Sequence, residues 1–402
     1  MIFYLANIFL LTAVSAIPSG RVDVVYPSVE TSKSGEKTMR FKALDQDIEL
    51  KLKPAGEILA RNFALIKEND QIHHSIDVED LKRRIYRDSD KGAALLIDED
   101  GPLTIQGIVN SNMRIAPYES GRMVKDGRIA HQIVEVISDK KSFMNDVLTT
   151  DINRELENVE RRAEKKKCIV IEYLCVTESN FTKRFKTDKA LTEYVTLLYT
   201  GVQNLLEKLN LGITVRLLGI QAFKIGTEPS FIEDSAIPGH ERYLNPDELV
   251  VNMGKYYCKH DTGLAKDADI IMLIVGRKLG ELDEDDDTVD FSTAGISQAS
   301  SVCKCHKVGV AQDDSDYNER VDTVAHETAH LLGSPHDGDE PEVLDKVLPG
   351  NPGAKNCPYE DGYIMGSADD KVNKFKFSEC TKKCIEHLLS LPRAACLYKD
   401  CK

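Results

Sequence analysis

Residues 326–337 read HETAHLLGSPHD, and this stretch restricts the fold more than any other. His326 and His330 stand four apart, so on a helix their imidazoles share one face about one turn apart. Glu327 is then held beside that pair without joining it. Gly333 follows where the helix must stop, because glycine takes the left-handed backbone that ends a helix and turns the chain. The turn lets His336 swing back toward the first two imidazoles. A chain with this stretch must therefore supply a helix, a sharp reversal and room for three converging rings. Three imidazoles so placed suit one zinc ion with its fourth position open to water. A bare His-Glu-x-x-His arises by chance in on the order of one chain in a hundred of this length. Gly333 and His336 reduce that by a further factor of roughly several hundred. The remaining histidines, His73, His74, His131, His240, His260, His306 and His387, carry no such pattern and read as structural residues.

Cysteine and charge divide the chain in two. No cysteine precedes Cys168, and all 10 lie from there onward. Residues 1–167 hold 26 Lys and Arg against 27 Asp and Glu, and residues 168–402 hold 26 against 39, so nearly all of the net charge of −14 belongs to the second part. An acidic second part argues against a nucleic-acid binder or a polybasic membrane-surface protein, since both need clustered positive charge. An even number of cysteines confined to one part points to disulfides and an oxidising compartment. At the N-terminus, Ile2 to Val14 is an apolar run of signal-peptide length, and Val14, Ser15 and Ala16 are small residues suited to cleavage after Ala16. The run is short of the roughly 20 residues a membrane helix needs. The expectation is a signal peptide over 1–16 and a secreted, extracellular product with no membrane span after its removal. From Thr149 to Lys167 a charge-dense helical stretch ends in Arg161, Arg162, Lys165, Lys166 and Lys167. This cluster is the expected processing site, which makes 17–167 a propeptide and 168–402 a catalytic domain with a disulfide-rich C-terminal end. Arg84 and Arg87 offer an earlier cut.

Apolar periodicity gives a coarse map of elements. Met39 to Leu52 and Ile129 to Ile137 read as half-buried strands of the first part. After the boundary, Cys168 to Thr177 is a strand, Asp188 to Leu209 a helix, and Ile213 to Phe223 a strand. That is a βαβ unit, hence a parallel pair with a right-handed crossover. Asp247 to Lys259 reads as a second helix and Ala268 to Val275 as a central strand. Asn180, Phe181 and Thr182 form a glycosylation sequon, which fits a surface loop.

The extended histidine motif resembles that of the metzincin metalloproteases. Gly362, Tyr363, Ile364, Met365 and Gly366 resemble the tight turn whose methionine, here Met365, lies beneath the zinc ligands of that clan. Asp337, directly after the third histidine, and the stretch Val308 to Asp313 resemble the reprolysin, or adamalysin-type, branch. HDGD at 336–339, DGYIMG at 361–366 and the segments at 376–383 and 395–397 are similar to secreted salivary metalloproteases of ticks. The likeness is most specific over about 290–397. It implies an α/β metzincin catalytic domain: a mixed, mostly parallel twisted sheet with an active-site helix and a smaller C-terminal subdomain, preceded by a β-rich propeptide. It implies a zinc endopeptidase made as a zymogen, with His326, His330 and His336 as ligands. Zinc lowers the pKa of a bound water to about 7 and polarises the scissile carbonyl, and Glu327 is the general base. An extended peptide would lie along an edge strand that includes Thr293 to Ser297. Fibrinogen, fibrin or matrix proteins are the substrates the resemblance suggests, and nucleic acid is not a partner.

The same resemblance suggests a disulfide between Cys303 and Cys396 and another between Cys357 and either Cys380 or Cys384. It leaves Cys168, Cys175, Cys258, Cys305 and Cys401 unassigned. Two departures stand out. Tyr363 replaces the cysteine that reprolysins usually place before the Ile-Met pair. The propeptide has no cysteine with which to silence the zinc, so any latency must be steric or use another ligand. The acidic run Asp283 to Asp287 does not fit an EF-hand loop, since Thr288 stands where Gly is needed and Ala294 where Glu is needed. A solvated loop is favoured there, and calcium stays an open second ion because some family members bind one elsewhere. The alternative to an enzyme is a catalytically silent secreted protein of the same fold that binds a host ligand. Discrimination rests on the intact set of His326, Glu327, His330, Gly333 and His336.

Overall fold

A computed structural model describes residues 20–400 apart from 68–70, 74–75, 119–123, 126, 137–145, 150–166, 284 and 368–371. The expected signal peptide, the basic cluster over 161–166 and Cys401 lie outside the described residues. Among the described residues no helix is long and apolar enough to cross a membrane.

The central element is a mixed sheet. Its surroundings are named here in chain order: β1 (Leu59–Lys67), β2 (Val147–Leu148), β3 (Lys167–Thr177), α1 (Asp188–Glu207), β4 (Ile213–Ala222), α2 (Pro246–Lys259), β5 (Ile270–Val275), β6 (Gly295–Gln298), β7 (Val308–Gln312), α3 (Val321–Leu331) and α4 (Glu379–Leu389). Across the sheet the order is β2, β6, β7, β5, β3, β4, β1 and then Gln71–His73. Most pairs are parallel, as in β3 with β4, β3 with β5 and β5 with β7. β6 turns antiparallel to β7, and β2 lies parallel to β6 at the edge.

Continuous apolar runs produce this sheet because both of its faces are covered. In β5, Ile270, Met272 and Ile274 enter the core on one face, while Ile271, Leu273 and Val275 enter the core on the other. β3 divides likewise, with Ile171, Tyr173 and Cys175 on the first face and Leu174 and Val176 on the second. α1 and α3 cover the first face and α2 the second. α2 begins as its sequence demands, with the Asn245 side chain accepting from the Glu248 N–H and Pro246 in the first turn. The segments after His336 share the first core, through Ile364, Met365, Ile385 and Leu388, rather than building a separate one.

The first part of the chain forms a second, antiparallel sheet of nine strands with its own core of Met39, Leu50, Leu52, Leu95, Ile105 and Ile133, among others. Met39 to Leu52 is not one strand, as periodicity suggests, but a hairpin of Lys37–Ala43 and Gln46–Pro54. Its turn is made by Leu44 and Asp45, with φ of +50° and +64°. Neither is the Gly or Asn that usually marks such a turn, so the sequence does not announce it. The stretch from Ile129 is likewise divided, into Arg128–Ile129 and His131–Glu135.

The two parts are joined far more closely than a boundary at Cys168 suggests. β2 is the strand at one edge of the mixed sheet, and β1 with Gln71–His73 forms the opposite edge, all from before that boundary. α1 lies between the two sheets. Its stripe of Leu191, Val195, Leu198, Val202 and Leu205 belongs to the first core. A second stripe faces the N-terminal sheet: Glu193 binds Arg84 and Gln106, Leu197 packs on Gly107, Asn204 donates to the Ala93 carbonyl, and Glu207 pairs with Arg87. Arg84 and Arg87 are therefore held by α1, and they are not the open basic pair that an early cut would require.

Candidate metal centre

All eleven residues of α3 are buried, including His326, Glu327 and His330. A buried helix end needs partners for its last carbonyls. The Ser300 N–H donates to the His330 carbonyl at 2.9 Å and the Val302 N–H to that of Leu331 at 3.3 Å. On the sheet side, the Tyr173 and Thr328 hydroxyls are 3.0 Å apart, which fixes α3 against β3.

Gly333 has φ of +89°, and a Cβ there would come within 2.6 Å of Leu348 Cδ2. The position therefore needs glycine for both conformation and space. Beyond the turn His336 returns to face the helix, and its ring centroid is 4.7 Å from that of His330. His326 and His330 Nε2 are 2.9 Å apart.

The second nitrogens of these rings fix which atoms face inward. His326 Nδ1 donates to the Ile364 carbonyl and His330 Nδ1 to the Ser334 carbonyl, each at 2.7 Å. Both Nε2 atoms then carry lone pairs that point at each other. Burial lowers the His330 pKa to about 4, so this ring is neutral near pH 7. Two lone pairs at such a distance repel unless a cation lies between them, and neutral imidazole nitrogen is the donor zinc takes. The donor set thus fits a single divalent ion. Carbonyl partners on the far nitrogens are also what orients ligating histidines.

The Ile364 carbonyl belongs to the turn that holds Met365, which is fully buried. Asp337 connects this turn to the site. Its N–H donates to the Met365 carbonyl at 2.8 Å, and its Oδ1 accepts from Ser378 Oγ at 2.6 Å, the residue that caps α4. Burial pushes the Asp337 carboxyl up to about 6.

Glu327 is fully buried, and among the described residues neither of its carboxylate oxygens has a hydrogen-bond partner. Burial, reinforced by the charge on Asp146, raises its pKa well above the usual range. β6 runs past it: a Cβ on Gly295 would meet Glu327 Oε1 at 2.5 Å, so glycine at 295 makes the space that the carboxylate occupies. Sequence reasoning passed over Gly295, and an isolated glycine in a strand is the signal for such an approach.

Asp146 is the second residue the motif did not reveal. Its side chain is buried among the three histidines, with Oδ2 3.1 Å from His326 Nε2 and Oδ1 3.3 Å from His330 Nε2 and 2.9 Å from His336 Nε2. A cavity of about 570 Å³ lies between the two sheets, lined by Ile108, Arg114, Asn204 and Arg320 among others, and not over the histidines.

The other expected residues fall as follows. Cys303 is bonded to Cys396, and Cys357 to Cys380. Cys384, the other partner considered for Cys357, is instead a buried thiol directed at the Gly353 carbonyl, one helical turn beyond Cys380. Cys258 pairs with Cys305, and Cys175 is a free buried thiol. Asn180 is not in a loop. It sits half-buried in the helical turn Ser179–Thr182, with its Nδ2 donating to Glu178 at 2.6 Å. The acidic run forms the tip of a small hairpin, and among the described residues it is not one of the clusters whose donor atoms converge.

Comparisons with known proteins place the chain next. The profile of the reprolysin-like metallo-peptidase family M12B matches residues 278–390. Along its whole length the chain is similar to the venom metalloproteinase antarease TserMP_A of Tityus serrulatus, with 61% identity over 100% of this chain and 99% of that one. It is 60% identical, over the same shares, to the antarease-like TtrivMP_A of Tityus trivittatus. These relatives come from venom rather than tick saliva, the source suggested by the segments near the C-terminus. A solved metalloproteinase-II from Bacteroides fragilis aligns with 12% identity over 79% of this chain and 85% of that one, at a TM-score of 0.38 that is too low to carry an argument.

Proposed function

Because this chain belongs to the reprolysin-like metallopeptidases of family M12B, we propose that it is a secreted zinc endopeptidase made as a zymogen. The family is zinc-dependent, and the observation that carries the reading for this chain is the inward convergence of three Nε2 atoms beside the unpartnered, buried carboxylate of Glu327. A zinc ion held by His326, His330 and His336 supplies a Lewis acid and an activated water. Glu327 takes the proton of the attacking water and passes it to the leaving amine. β6 offers its free edge to an extended peptide once β2 has left, so that backbone pairing positions the scissile bond over α3. Met365 and Asp337 hold the floor of the site and the return of His336.

The removable part in this reading is 17–167, with release at the basic residues before β3. Disulfides and the secreted relatives support an extracellular setting, and extracellular host proteins such as fibrinogen, fibrin or matrix components are the proposed substrates. The test is the processed form of Glu327→Gln. Zinc content should stay at that of wild type while cleavage of a peptide library falls by at least about 10³-fold. Undiminished cleavage by that variant would remove Glu327 from the mechanism.

A further inference from the structure

β2 occupies the edge where a substrate peptide would pair. Val147 stands opposite Ser297 and Leu148 opposite Gln298. The Ser297 N–H donates to the Asp146 carbonyl and the Ala299 N–H to that of Leu148, both at 3.0 Å. Side chains reinforce the pairing, since Val147 packs against the core on one face of the sheet and Leu148 against that on the other. Three consecutive residues thus fix the backbone, and the carboxylate of the first is delivered into the ring of imidazoles.

That carboxylate has the position of a ligand. Tetrahedral ligands about 2.1 Å from one ion lie about 3.4 Å from one another. The Asp146 oxygens lie 2.9 to 3.3 Å from the three Nε2 atoms. Among the described residues no group other than the imidazoles is hydrogen-bonded to either oxygen, although the side chain is fully buried. For His326 and His330 the facing nitrogens are lone pairs, so these contacts are not hydrogen bonds. A buried carboxylate without donors is costly unless a cation is beside it.

We infer that Asp146 is the internal fourth ligand that keeps the zinc closed in the uncut chain. The inference rests on the zinc reading above and adds the means of latency. The carboxylate takes the coordination position that the attacking water needs, and β2 takes the edge that the substrate needs. One short segment therefore blocks both requirements, and no cysteine is involved. No bond is made or broken in this arrest. Departure of 146–148 opens both positions together.

The full-length chain carrying Glu327→Gln, so that no copy is cut, is loaded with cobalt(II), whose visible absorption reports its coordination. Acetohydroxamate is then added as a small probe that requires a free position on the ion. With Asp146 present the spectrum should stay unchanged up to concentrations at least ten-fold above those that alter it in Asp146→Ala. Asp146→Asn, which keeps the volume of the side chain, should behave like Asp146→Ala and melt as the parent does. If the probe alters the parent spectrum as readily as that of the two variants, Asp146 is not the closing ligand and the inference is overturned. If the parent takes up neither cobalt nor zinc, the zinc reading itself fails, and this inference with it.

Discussion

The N-terminal sheet and the mixed sheet are both built on apolar cores, yet they are held together by different means. The mixed sheet and its helices carry the disulfides Cys258–Cys305, Cys303–Cys396 and Cys357–Cys380, and both of the sheet's faces are sealed by helices. Strand pairing and its own apolar core hold the N-terminal sheet, which reaches the other part through side chains such as Arg84, Arg87 and Arg114, and through β1 and β2. In the proposed zymogen, covalent closure belongs to the part that persists and reversible polar contact to the part that leaves. Along α1 the contrast falls within one helix. The stripe of Val195, Leu198 and Val202 is wholly apolar, whereas the stripe of Glu193, Leu197, Asn204 and Glu207 is mixed and can face water afterwards.

The largest effect should come from the metal. A chelator applied to the processed form should abolish cleavage, by more than about 10³-fold, and zinc should restore it. The N-terminal sheet holds no described residue of that centre, so its core should melt at the same temperature with or without the ion once freed from the rest. A sizeable shift would show that the two regions are not separable.

Next is covalent closure. Cys303 and Cys396 are 93 residues apart, and the closure entropy of a loop of that size makes their bond worth about 4.6 kcal/mol. Replacing both by Ser should lower the stability of the processed form by roughly this amount, measured by denaturant unfolding. An unchanged midpoint would refute the contrast with the N-terminal sheet.

A smaller effect is expected at Arg114. Its buried guanidinium donates to the carbonyls of Tyr317 at 2.6 Å and Asn318 at 3.2 Å, in the loop that leads into α3. Burial lowers its pKa to about 10. Arg114→Ala should cost the full-length chain about 2 kcal/mol, because buried acceptors are left unpaired. The smallest should be Lys67→Ala, which removes a partly exposed ion pair between β1 and Asp188 at the start of α1. About 0.5 kcal/mol is expected there. Both losses are read as a lowered denaturant midpoint of the full-length chain, and an unchanged midpoint in Arg114→Ala would show that its bonds to Tyr317 and Asn318 do not join the two parts.

Much of the mixed sheet was legible because its signals are local. β3, α1, β4, α2 and β5 follow from apolar periodicity, and the reversal after α3 follows from Gly333. The histidine cluster was legible for the same reason, since all three rings lie within eleven residues of sequence. What escaped depends on distant partners. Nothing in Leu59–Lys67 says that it pairs with Ile213–Ala222 rather than with its own sheet. Nothing in Asn145, Asp146, Val147 distinguishes this aspartate from the other acidic residues of the first part, because its meaning comes from β6 and the imidazoles. The missing cysteine posed the question of latency without supplying the residue that answers it.

β1 has an implication for the enzyme after activation. It covers β4 along Leu217 to Gln221, leaving that strand with neighbours on both sides. Any cut that frees the residues before 150 lets β1 leave, and β4 then shows water a row of unpaired backbone groups. Activation would thus trade a sheltered molecule for an adhesive one, with a rim on which another copy, a fibre or a target chain could dock. Light scattering during processing should register that change in colloidal behaviour even for a copy whose catalytic glutamate has been replaced.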